Sequence, residues 1–289
     1  MVRQENEDVP APDFCSIHPP LDVLKPFLRR ILIADAEVPD GFLVRAAPTG
    51  YNYIGWHASG HVKVRIDGVA TRYGRFHFAG QLRGQNVEVL HTGQVVHIIA
   101  EFTATGLARL IHVPGAAIYG RPVPVADIAP ACARALAPLL EVRYESAEAR
   151  GAAFQNVLAS FVEDAAPPVH YLEQAVEAIE RAAGLVRIGE LSRELGVSQR
   201  HLSRVFGDVV GIGPKYFAKV VQLNTALGAL LSGEQAQISK VSYGFGYTDQ
   251  AHFVHVMQEL LRMGPTAFLN SNDDVLAAFL AKSQAFARE

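Results

Sequence analysis

Ile188-Gly-Glu-Leu-Ser-Arg-Glu-Leu195, then Gly196-Val-Ser198, then Gln199-Arg-His-Leu-Ser-Arg-Val-Phe206: this stretch decides the fold. A short helix that buries Leu191 and Leu195 runs into a glycine able to make a tight turn, and Ser198 stands where a hydroxyl caps the next helix. In that second helix Leu202, Val205 and Phe206 share one face by i, i+3, i+4 spacing. Gln199, Arg200, Ser203 and Arg204 are left pointing outward. Hydrogen-bonding side chains at helical spacing on an exposed face are what reading base edges in a major groove requires. The pattern predicts a helix-turn-helix.

Working outward, Gly213-Pro214 opens a long helix through Tyr216, Val220, Leu223, Leu227 and Leu230 to Leu231, with proline at the first helical position, where its missing N–H is no loss. Beyond Gly233 a second unit follows: Ile238-Ser-Lys-Val241, a turn at Tyr243-Gly-Phe-Gly-Tyr247, and Thr248-Asp-Gln-Ala-His-Phe-Val-His-Val-Met257. A connecting helix over Pro214–Leu231 spans ~27 Å at ~1.5 Å per residue. With the width and tilt of the flanking helices added, that length sets two reading helices about one DNA turn, ~34 Å, apart. Upstream, Leu172, Ala175, Val176 and Ile179 mark an amphipathic helix ending near Gly184. Ala165-Ala-Pro-Pro-Val169 is the clearest linker, since consecutive prolines cannot continue a helix.

Over roughly Val169–Asn270 these residues resemble the DNA-binding domain of the AraC/XylS family of bacterial transcription regulators. The most specific stretch is Gly246-Tyr-Thr-Asp-Gln-Ala-His-Phe253, followed by Gly264-Pro-Thr-Ala-Phe268. The resemblance implies two recognition helices that switch promoters in response to a signal sensed by the other domain. It puts base contacts on Arg200, Ser203 and Arg204, beside Gln199, in the first helix, and on Gln250, Ala251, Val254 and His255 in the second. The partners it implies are double-stranded promoter DNA, a small-molecule effector, a second copy of the chain and RNA polymerase, with no membrane. Five positions depart from the family pattern. His255 stands where an Arg is usual, Met257-Gln258 where Phe-Lys is usual, Arg262 where a Gly precedes Met, and Gln222 where the connecting helix has an Arg. The second unit has lost cations, which predicts a weak or sequence-tolerant second half-site; Val254 can still touch a thymine methyl and His255 can donate a hydrogen bond.

The N-terminal half reads as strands: Phe42–Arg45, Tyr51–His57, His61–Ile66 and Gln94–Phe102, separated by glycines. A helix is expected at Leu21–Ile33 and an Ala- and Leu-rich helical stretch over Val125–Val162. Ala108–Tyr119 is similar to a recurrent strand and turn of sensor-type domains found ahead of such readers. The expected class is α+β: an N-terminal β-rich barrel or sandwich with flanking helices, and a C-terminal all-α domain with two helix-turn-helix units joined by a long helix. The expected domains are a β-rich sensor or dimerisation domain with a helical extension at 1–165, an AraC-type DNA-binding domain at 166–271, and an amphipathic helix at 272–289. Tyr51, Tyr53, Trp56 and His57 are candidates for a ligand pocket, set against a core reading of the same aromatics. His57, His61, His77 and His97 with Glu101 raise a metal site. The His-x-His spacing of cupins is missing and the histidines scatter, so no metal and no cofactor are expected. Without a nucleophile motif or phosphate loop, the chain is not expected to be an enzyme. The rival reading is a ligand-binding or enzymatic barrel carrying a vestigial, weakly DNA-binding helix-turn-helix.

Composition sets the outer bounds. The chain has 289 residues, 49% hydrophobic and 19% charged, which excludes disorder and fibrous repeats for its bulk. Its polar, acidic start and the lack of an apolar run near ~20 residues lead to the expectation of a cytoplasmic protein. Cys15 and Cys132 form no CxxC, and reduced thiols are expected. Net charge is −3, and residues 169–270 are electrically neutral, so DNA binding must come from local placement of cations.

Overall fold

The computed structural model describes residues 15–71, 73–231 and 238–269, so the expected helix at 272–289 lies outside the described residues. Seven strands come first: β1 Cys15–His18, β2 Leu28–Ala46, β3 Tyr53–Ile66, β4 Val69–Thr71, β5 Phe76–Ala79, β6 Val87–Phe102 and, after helix α1 Gly106–Leu110, β7 Pro122–Pro124. Helices α2 Val125–Ile128, α3 Pro130–Leu136 and α4 Ala147–Ala159 follow. The C-terminal part is helical: α5 His170–Arg181, α6 Ile188–Glu194, α7 Gln199–Val210, α8 Pro214–Leu231, α9 Ile238–Gly244, α10 Gln250–Leu261 and α11 Pro265–Leu269.

The strands form one antiparallel sheet in the order β1-β2-β6-β3-β5-β7, with β4 on β3. Its three long strands break register at the same level, at Val38/Phe42 in β2 and around Ser59 in β3. Gly41, Gly60 and Gly93 sit there with positive φ. Irregularities aligned across neighbouring strands bend a sheet. One face is apolar: Ile33 pairs with Ile98, and Ile98 with Trp56, while Ile54 pairs with Ala100 and Phe78. Leu136, Leu139, Phe154 and Leu158 cover it from the helical extension. Alternation puts Arg30, Glu101, Tyr53, Gly55, His57, His77 and His97 on the other face.

Two sequence expectations give way, and the helical stretch is divided. Leu21–Ile33 is a short 3-10 turn at Asp22–Leu24 and then the start of β2. Pro26 interrupts the helical spacing, and from Leu28 the chain gains a ladder with β6. Val125–Val162 is α2, α3 and α4 with a 3-10 turn, because Pro130 and Pro138 each restart the backbone at a first-turn position. Ala108–Tyr119 holds the end of α1 and a 3-10 turn at Gly115–Ile118 instead of a strand.

The helical part rests on the sheet. The Tyr51 hydroxyl donates to Glu180 at 2.5 Å, and Arg29 pairs with Glu180 at 3.3 Å and lies over the Tyr51 ring. Thr105 donates to Glu173 at 2.7 Å. Even the prolyl linker is held, since Ala166 N–H donates to the Arg109 carbonyl at 2.8 Å.

Candidate nucleic-acid interface

The two helix-turn-helix units repeat each other atom group by atom group. Ser192 and Ser242 are buried at the end of the first helix of each, and each accepts, through its carbonyl, the N–H of the residue after the turn glycine: Val197 at 3.0 Å and Tyr247 at 3.0 Å. The turn glycines, Gly196 and Gly246, have φ of +68° and +75°, a conformation that glycine adopts without strain. Ser198 then caps α7 by accepting from His201 N–H at 3.2 Å, and Asp249 caps α10 by accepting from His252 N–H at 2.7 Å. Leu202 and Phe206 anchor α7, as Phe253 and Met257 anchor α10, all fully buried. Burial at these positions, ~1.5–3 kcal/mol for a large apolar side chain, fixes the rotation of each helix.

That rotation sends the expected base-reading residues outward. Gln199, Arg200, Ser203 and Arg204 are exposed on α7; Gln250, Ala251 and His255 are exposed on α10, and Val254 is half-buried. Position by position Gln199 corresponds to Gln250, Arg200 to Ala251, Ser203 to Val254 and Arg204 to His255. The first face therefore carries two guanidinium groups where the second has a methyl group and an imidazole. Among the described residues Arg204 is tied only to Asp208, at 3.3 Å, with both side chains more than half exposed, an i,i+4 pair worth a few tenths of a kcal/mol. So weak a pair leaves the guanidinium able to exchange that partner for another anion.

The departures have structural reasons. Gln222, in α8, donates to the Phe245 carbonyl at 2.7 Å and so braces the second turn. Arg262 closes α10 in the left-handed region at φ 58°, where α7 closes with Gly211 at φ 97°. A non-glycine residue there costs ~1–2 kcal/mol. The Arg262 guanidinium donates to the Gly84 carbonyl of the sheet domain. Its cation is spent on docking, away from the reading turns.

Both C-terminal helix ends abut that domain. A Cβ on Gly115 would stand 2.4 Å from the Val210 carbonyl carbon, and one on Gly84 would stand 2.9 Å from the Glu259 oxygen. Asn52 donates to the Val210 carbonyl at 3.2 Å and the Tyr216 hydroxyl to the Leu82 carbonyl at 3.2 Å. A cleft of about 350 Å³ bounded by Arg83, Tyr119, Gly207 and Tyr216 lies in this junction.

The four ligand candidates part company. Trp56 is buried in the apolar core, tilted against Phe76 and Phe154. Tyr51 belongs to the junction, edge-on to Phe217. Tyr53 and His57 lie on the face of the sheet opposite the apolar core. There the expectation of scattered histidines is overturned: the ring nitrogens of His57, His77 and His97 lie within 4.8 Å of one another. Pairing brings this about, since His57 is opposite His97 and His77 is opposite Gly55. Burial holds His57 near pKa 2 and His77 near 3, and pushes His97 far below the usual value; the other imidazoles add to this at His57 and His97. All three are neutral.

Fold and exposed helix faces together define a DNA-binding protein of the tandem helix-turn-helix class. Residues 191–271 match the family model described as "Helix-turn-helix domain", and the C-terminal domain is AraC-type, as the sequence resemblance implies. No curated protein matches the chain. Among solved structures, ToxT from Vibrio cholerae is 10% identical, with 83% of this chain and 97% of that chain covered and a TM-score of 0.44. A ToxT structure with an unsaturated fatty acid bound is 11% identical, covering 83% and 94%, with a TM-score of 0.45. The AraC-like transcriptional activator CuxR is 15% identical, covering 73% and 86%, with a TM-score of 0.25. Among the described residues no helix is long and apolar enough to cross a membrane.

Proposed function

We propose that this protein is a sequence-specific transcriptional regulator in which α7 carries most of the base reading and the sheet domain holds, and receives the signal that controls, the pair of readers. The carrying observation is the polarity of the two reading helices. Their capped N-terminal turns are exposed, with Gln199, Arg200 and Gln250 presented to solvent, while their C-terminal ends sit on Gly115 and Gly84 of the other domain. Base contacts in such motifs come from the N-terminal part of the helix. The imbalance of cations between α7 and α10 supports a strong first half-site and a tolerant second one.

The test is fluorescence anisotropy with duplexes from upstream of the protein's own gene and with random duplexes, at several salt concentrations. Discrimination of ~10³-fold or more together with a shallow salt slope is the expected outcome. Equal affinity for both kinds of duplex returns the protein to the rival reading, a barrel with a vestigial reader.

A further inference from the structure

We infer that the face of the sheet opposite the apolar core holds a binding site for a divalent first-row transition-metal ion of the zinc type, with His57, His77 and His97 as ligands. The inference rests on the sheet alone and stands whether or not the C-terminal domain reads DNA. The register builds the site. On neighbouring rungs His97 of β6 faces His57 of β3, and Ile99 faces Gly55, which faces His77 of β5. Gly55 has no side chain, and its space is taken by the imidazoles: a Cβ there would stand 2.4 Å from His77 Nε2 and 2.7 Å from His97 Nε2. Two Nε2 atoms from different strands thus converge above one glycine. His57 stacks on His97, ring centroids 3.8 Å apart, and its Nε2 is 3.1 Å from the Tyr73 hydroxyl, which is 2.6 Å from His77 Nε2.

Hydrogen bonding among these groups is incomplete. The Tyr73 hydroxyl satisfies both its neighbours, donating to one imidazole nitrogen and accepting from the other, whereas His97 Nε2 is buried with no hydrogen-bond partner among the described residues. An unsatisfied buried nitrogen costs ~1–3 kcal/mol, which a cation on its lone pair removes. Neutral imidazoles are the form that binds metal, and three of them with an oxygen suit zinc, copper, nickel or iron over calcium or magnesium. In a tetrahedral site with bonds of ~2.0–2.1 Å the ligand atoms stand ~3.3 Å apart. From within 4.8 Å, rotation of the imidazoles about their side-chain bonds closes that distance. Tyr73 is placed to supply the fourth position. His97 is only partly buried as a residue, which leaves a way in. The spacing along the chain, spread over β3, β5 and β6, matches no short metal motif.

The experiment uses the untagged full chain, freed of metal by chelation, with Zn(II) in calorimetry and Co(II) in visible spectroscopy. One equivalent of Zn(II) is expected, with Co(II) giving the intense bands of a tetrahedral site. His97→Ala and His77→Gln should each weaken binding at least ~100-fold, Tyr73→Phe ~10-fold, and the solvent-side control His61→Ala not at all. X-ray absorption on the wild-type Zn(II) protein gives a readout independent of whether the variants fold, and three imidazole scatterers are expected. Absence of stoichiometric binding overturns the site. So does wild-type affinity in the folded His57→Ala/His97→Ala chain, or an absorption spectrum with fewer than two imidazoles.

Discussion

Arg204 and His255 hold equivalent positions on the two reading helices, and the difference in charge between them sets how the affinity divides. A guanidinium forks to two acceptors on one guanine; a neutral imidazole donates once. Arg204→Ala is expected to weaken specific binding by ~1–3 kcal/mol, with the unfolding midpoint unchanged, because its pair with Asp208 is exposed. Anisotropy on specific and random duplexes checks this, and equal losses on both would assign Arg204 to phosphate. His255→Arg should tighten binding and steepen the salt slope by about one counterion. A different residue carries the fold. Glu101 is buried at 1% exposure, 2.6 Å from Arg30 Nε and 3.6 Å from Arg29 Nε. Glu101→Gln leaves those cations facing a neutral amide, and a loss of ~3–5 kcal/mol in urea unfolding is the expected result. The sequence showed Glu101 as a carboxylate at the end of an apolar strand but gave no sign of its partners, because they arrive through pairing with a strand some seventy positions away in the chain, far outside the window in which a periodic pattern is read.

At the scale of elements, the start of α7 and both ends of α8 were legible to the residue, since capping and apolar spacing are local properties: Ser198 caps and Pro214 starts, while α7 runs one turn past Phe206 to a stop at Gly211. β2 was not. Leu21, Leu24, Leu28 and Ile31 fit a helical repeat as well as a strand fits Ile31 and Ile33, and only the ladder to β6 decides between them. The histidine cluster was hidden for the same reason, its register being a property of three strands at once. The glycines of α7 and its docking turn separate local from tertiary demands. Gly207 lies inside the helix with nothing within 4 Å of an added Cβ, so Gly207→Ala should stabilise by up to ~1 kcal/mol through backbone entropy. In Gly115→Ala the same methyl group meets the Val210 backbone at 2.4 Å and the Gly211 nitrogen at 2.6 Å. That backbone cannot yield without moving the end of α7, and a lowered melting temperature with faster proteolysis between the domains is expected. Thermal melts of the two variants side by side decide it: stabilisation by both would mean that the turn at Gly115 does not press on α7.

Across the whole molecule, the two readers are joined twice, once by α8 and again through the sheet domain. The turn at Gly115 meets α7, while the segment containing Leu82 and Gly84 meets α8 through Tyr216 and α10 through Arg262. Lys219 of α8 adds a pair with Glu259 of α10 at 2.8 Å. Reading helices joined by α8 and also fixed at their C-terminal ends to one body cannot follow half-sites that move apart. A ~10.5-bp turn means that inserting ~5 bp between half-sites puts the second on the opposite side of the duplex. With the wild-type chain, footprinting is then expected to show protection of the first half-site alone. Arg262→Gly keeps the left-handed end of α10, which glycine adopts without strain, and removes the tie to Gly84. Paired with Tyr216→Phe, which removes the bond to Leu82, it should restore part of the second footprint on the lengthened site. It should also leave affinity for the native spacing within a few-fold. Protection of both half-sites at both spacings by the wild-type chain would show that α7 and α10 move independently, and that the sheet domain does not set the distance between them.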